Sequence, residues 1–141
     1  MFNHILIPID GSTHAMRALE TAKSFVQSLS LSPIELTVLH VNPELSYNEP
    51  PLGVDVEARL EEEGRQIVEP AVQLFAGLPV QCLVMTKHGD PASLICAAAE
   101  EVGADIIIMG TRGMNLVSEI LLGSVSHHVI QHAPCPVMTV K

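Results

Sequence analysis

The sequence predicts a doubly wound α/β domain, and three observations point to it. Five short runs rich in Ile and Val are nearly continuous in apolar residues: His4–Ile9, Glu35–Val41, Val80–Thr86, Asp105–Met109 and Pro136–Val140. Strands buried on both faces read this way. Helical patterns with three- and four-residue spacing separate the runs. Apolar residues make up 48% of the chain and aromatics only 3%, so aliphatic side chains must fill the core, as in a parallel sheet covered by helices. Strict strand–helix alternation implies right-handed crossovers and one three-layer sandwich over residues 1–141. The expected sheet has five strands, mainly parallel, in the order 3-2-1-4-5.

Each helix has its own signals. In the first, Ala15, Leu19, Ala22, Val26 and Leu29 form one stripe, Ser12 or Thr13 caps the start, and Ser32-Pro33 stops it. The second follows a Pro/Gly-rich loop from Asn42 to Gly53, the longest irregular stretch and a candidate for ligand contact. Its stripe is Val56, Leu60, Ile67, Ala71 and Leu74, with Glu61-Glu62-Glu63 facing water and Pro70 expected to kink or restart it. Asp90-Pro91 opens the third helix as an N-cap followed by proline, and Gly103 ends it. The fourth begins at Ser124 and ends before Ala133-Pro134-Cys135-Pro136. There is no sign of a linker or an internal repeat.

Charge and cysteine usage exclude several classes of function. The formal net charge is −9, and seven Lys plus Arg scattered along the chain build no basic patch, which argues against nucleic acid as a partner. An anionic ligand would have to be held by backbone N–H groups and one or two cations. No apolar stretch approaches the roughly 18 residues that span a bilayer, and the strand-like start at Phe2 lacks a signal-peptide pattern. Cys82, Cys96 and Cys135 form no C-x-x-C pair and read as small core residues in a reducing compartment. A cytoplasmic location is expected.

In doubly wound sheets the ligand lies beyond the carboxyl ends of the strands, where the strand order reverses. Here that point falls between the first and fourth strands, which end in Asp10-Gly11-Ser12 and Gly110-Thr111-Arg112-Gly113. The second segment continues through nine residues to Gly123 and then Ser124-Val125-Ser126, which opens a helix. Glycine permits positive φ or a close approach of the backbone to a ligand. The N–H groups of Ser124, Val125 and Ser126 lack intrahelical partners and carry the positive end of the helix dipole, which accepts phosphate. The alternative is a tight turn at Gly110 and Gly113 with Ser124 as a simple cap, and physics alone leaves the two open. The sequence has neither a G-x-x-x-x-G-K-[ST] phosphate loop nor a G-x-G-x-x-G dinucleotide fingerprint. His128 and His132 lie one helical turn apart with His127 beside them, but no Cys, Asp or Glu is placed to complete a zinc shell. They read as a solvent-facing polar stripe.

Several segments resemble the universal stress protein family: Ile5–Ser12, Asp105–Gly113, Gly123–Ser126 and Pro134–Val140. The likeness covers the whole chain, and the G-x2-G-x9-G-[ST] spacing is similar to that of the family's ATP-binding branch. The resemblance implies a Rossmann-like fold and an ATP site. Pro8, Ile9, Asp10 and Val41 would border adenine and ribose. Gly110, Arg112, Gly113, Gly123, Ser124, Val125 and Ser126 would surround the ribose and phosphates, and Met109 would also belong to the nucleotide site. It also implies that Asp10 could help place a magnesium ion, and that the chain forms a homodimer through its last strand.

Three readings follow. One is an ATP-binding, nucleotide-responsive stress regulator or sensor. The second is a slow magnesium-dependent adenine-nucleotide hydrolase, at most a slow ATPase, since no general base and no phosphate-loop lysine is evident. The third is a protein-interaction module whose glycine turn stays empty.

Overall fold

The computed structural model describes residues 2–29, 33–42, 56–111 and 123–141. Ser32, loop residues 43–53, and Arg112 and Gly113 lie outside them, as do the side chains of Val56 and Leu60. Among the described residues the chain runs β1 (His4–Ile9), α1 (Thr13–Ser28), β2 (Ile34–Asn42), α2 (Val56–Phe75), β3 (Val80–His88), α3 (Pro91–Val102), β4 (Ile106–Gly110), α4 (Ser124–His132) and β5 (Val137–Val140). The five strands form one sheet in the order β3-β2-β1-β4-β5, with every neighbouring pair parallel. The doubly wound α/β fold is thus as the sequence predicts.

Side-chain alternation divides the sheet between two cores. Ile5, Ile7, Leu36, Val38, Ile106 and Ile108 pack with Leu19, Ala22 and Val26 of α1 and with Ala71 and Phe75 of α2. Leu6, Leu39, Ile107 and Met109 face the other way, onto Ala92, Ile95, Ala98 and Ala99 of α3 and Val129 of α4. The three central strands are therefore buried on both faces, whereas the edges are not. Leu83 and Val84 of β3 are each nearly half exposed, and β5 is half-buried throughout. An edge strand has one neighbour only, so its apolar run overstates its burial.

The helix boundaries show where local chemistry decides. Ser12 caps α1, its Oγ accepting from the Ala15 N–H at 3.1 Å. The helix ends at Ser28, ahead of the expected Ser32-Pro33 stop, with the Leu29 N–H bonded to the Val26 carbonyl. In α2 the buried positions include Gly64 and Phe75, and the helix runs through Pro70 without restarting. Glu61, Glu62 and Glu63 are exposed as expected, and Arg59 pairs with Glu63 at 3.2 Å along the helix. Asp90 caps α3 through the Ser93 N–H at 3.0 Å, and Gly103 closes it in the left-handed region at φ 67°. At the opposite end of the sheet the Asp105 carboxylate accepts from the Asn3 and His4 N–H groups, at 2.8 and 2.9 Å, clamping the starts of β4 and β1 together.

Candidate functional site

The strand order reverses between β1 and β4, and a cavity of about 290 Å³ opens there at the carboxyl ends of the strands. Its walls come from every region the fold brings to that point. β1 contributes Pro8 and Ile9, with Asp10 just beyond; β2 contributes Leu39 and Val41; β4 contributes Met109 and Gly110, with Thr111 just beyond. The start of α4 supplies Gly123, Ser124, Val125 and Ser126. All ten predicted site residues within the described regions line this one cavity. Arg112 and Gly113 lie outside the described residues.

Ser12, Ala15, Leu39, Pro91, Ile95 and Thr111 also line it and were missed. Leu39 was legible in principle, since register places it beside Pro8, two residues before Val41 on the same face. Pro91 and Ile95 belong to α3, whose approach to the cavity is a matter of packing that no local pattern records.

The rim is built by turn chemistry. Gly11 takes φ 83°, which turns the chain sharply after β1. The half-buried Asp10 braces that turn, its Oδ1 accepting from the Ser12 N–H at 2.9 Å. Gly110 has a different reason to be glycine from the two the sequence suggests. Its φ is not positive, and an added Cβ would sit 2.8 Å from the backbone carbon and Cβ of His14. The space it leaves is filled by the first turn of α1.

At α4 the N-cap is Gly123, not Ser124, with φ −65° and ψ 156°. Having no side chain, it makes no capping bond to the N–H groups behind it. Ser124 is exposed and Val125 half-buried, both at the first turn facing the cavity. Ser126 differs: it is buried, and its hydroxyl lies 2.7 Å from the Thr111 carbonyl and 3.0 Å from that of Gly123. Its single proton is thus directed at the chain's own backbone, which leaves Ser126 only its oxygen lone pairs for other partners.

His127, His128 and His132 are exposed, and the rings of His128 and His132 lie 4.4 Å apart on one face of α4. Among the described residues no three His, Cys, Asp or Glu side chains are grouped to hold a metal ion. The three cysteines are free and partly buried, and burial pushes each thiol up, away from the reactive thiolate. No helix among the described residues is long and apolar enough to cross a membrane.

Fold and cavity together define a doubly wound α/β domain with a ligand-sized pocket at its switch point. The chain belongs to the universal stress protein family, which it matches over residues 1–141. It is 34% identical to universal stress protein YxiE of Bacillus subtilis, over 100% of both chains. Its fold superposes on the hypothetical protein MJ0577 with a TM-score of 0.89, at 33% identity, covering 100% of this chain and 96% of that one. A universal stress protein family protein from Arabidopsis thaliana, solved with AMP bound, matches at 25% identity and TM-score 0.74, covering 99% of this chain and 91% of that one.

Proposed function

We propose that this chain binds ATP in the switch-point cavity and acts in the cytoplasm as a nucleotide-responsive stress regulator or sensor. The observation that carries the reading is that apolar side chains and the uncapped start of α4 line the same cavity. Pro8, Leu39, Val41 and Met109 offer an apolar slot suited to a base. On the same cavity, the first turn of α4 presents N–H groups that the glycine cap leaves unoccupied by any side chain. Such a helix start accepts phosphate through both its donors and its dipole. The AMP bound to the Arabidopsis relative supports an adenine nucleotide as the ligand class.

Magnesium fits as a companion of the phosphates. Asp10 is the carboxylate at the cavity, and one of its oxygens is engaged by the Ser12 N–H. Magnesium is commonly held by one or two carboxylates together with substrate phosphates, and Asp10 would supply that share. The half-buried edge strand β5 is the proposed seam of a homodimer, since an unpaired apolar edge invites a second copy.

Thermal unfolding of nucleotide-free protein tests the reading. ATP with magnesium at 100 times its Kd stabilises the folded state by about 2.7 kcal/mol, which raises the melting temperature by several degrees. An unchanged melting temperature at millimolar ATP and magnesium would overturn it.

A further inference from the structure

Gly123 gives α4 no side-chain cap, yet the first turn of that helix is not loose. Four contacts converge on one residue, Thr111, which is 8% exposed and lines the cavity. Its carbonyl accepts from the Gly123 N–H at 2.7 Å and from the Ser126 hydroxyl at 2.7 Å, so both lone pairs are used on the start of α4. Its own N–H donates to the Val140 carbonyl at 2.8 Å, tying it to the end of β5. Its hydroxyl lies 3.1 Å from Nδ1 of His14, in the first turn of α1. That turn is itself wedged against Gly110, where no Cβ fits.

We infer that Thr111 is the positioning residue of the phosphate end: held by His14 and Val140, it aims the N–H groups of α4 at the ligand. The argument is geometric. A peptide carbonyl points where the backbone torsions of its residue set it, and those of Thr111 are pinned by the N–H bond on one side and the side chain on the other. The helix start that hangs from this carbonyl inherits that direction. A helix N-terminus holds an anion well only when its donors are aimed before binding, because ordering them afterwards costs affinity. Thr111 therefore takes the part that a capping side chain plays elsewhere, without placing a competing oxygen over the donors.

The inference rests on the nucleotide reading above, and calorimetry with two ligands separates the two. Thr111→Val keeps the branched shape and the three hydrogen bonds of the backbone but removes the hydroxyl. ATP affinity is expected to fall about 3- to 10-fold, the worth of one hydrogen bond. Affinity for adenosine, which has no phosphate for α4 to meet, stays unchanged. Thr111→Ser, which retains the hydroxyl, restores ATP binding. Because the Thr111 hydroxyl acts through its contact with His14, the loss in Thr111→Val with His14→Ala is smaller than the sum of the two single losses. If Thr111→Val binds ATP like the parent, or loses ATP and adenosine equally, Thr111 does not position the phosphate end. If the parent protein binds neither ligand, the nucleotide reading falls and takes this inference with it.

Discussion

His40 is the one side chain among the described residues whose buried polar atom finds no partner. It lies in β2 between Leu39 and Val41, is 4% exposed, and has its Nδ1 unbonded beneath Gly64 of α2. Burial lowers its affinity for a proton below the ordinary 6.5; Asp10 opposes the shift and His88 adds to it. The unfolded chain therefore takes up this proton first as pH falls, and the folded state loses stability below about pH 6.5. Urea unfolding at pH 7.5 and 5.5 should show a smaller acid loss in His40→Leu than in the parent; equal losses would count against the account. Gly110 makes a second prediction at this scale. Gly110→Ala forces a Cβ onto the backbone of His14 and should cost about 1–3 kcal/mol in the same assay, even without any ligand. A stability equal to the parent's would show that α1 yields at that point.

The starts of α1 and α4 differ in their caps, and the difference is testable. Ser12→Ala removes a capping oxygen from α1 and should destabilise the protein by about 1 kcal/mol. Gly123→Asp works the other way. The dihedrals there are open to any residue, and aspartate is a good N-cap, so the melting temperature should hold or rise. The same carboxylate would occupy and repel the phosphate position, so ATP affinity should collapse. A variant that still binds ATP as tightly as the parent would displace the phosphates from α4. Elements of this kind were legible to different depths. The central strands were read from Ile5, Leu6, Ile7 and Ile106–Ile108 because burial on both faces leaves an unbroken apolar run. Ser12, Asp90 and Gly103 announced their caps because capping is local chemistry. The continuity of α2 through Pro70 was not legible, since packing against the sheet outweighs a local breaker, and α1 stops at Ser28 with no Gly or Pro there to mark its end. In the site, Asp10, Gly110 and Ser124–Ser126 stood out by spacing, but Thr111 did not. Its part comes from contacts to residues 14, 123, 126 and 140, which no window of sequence brings together.

For the molecule as a whole, the proposed dimer seam lies at one edge of the sheet. β5 ends the sheet beside β4, and its residues are half-buried rather than shielded. Thr139→Lys places a charge on that edge and should shift a dimer toward monomer in sedimentation equilibrium, with the circular dichroism spectrum retained. An unchanged mass would move the seam elsewhere. The strand order has a further consequence during synthesis. β1 leaves the ribosome first, yet it is the middle strand and pairs with β4, which follows about a hundred residues later. At about 5–20 residues per second that is a delay of about 5 to 20 seconds. Through that interval β1, with the fully buried Ile5, Leu6 and Ile7, has β2 to pair with but an open ladder on its other side. The nascent chain is therefore most exposed to misassociation in a segment that, once complete, is sealed at the centre of the fold.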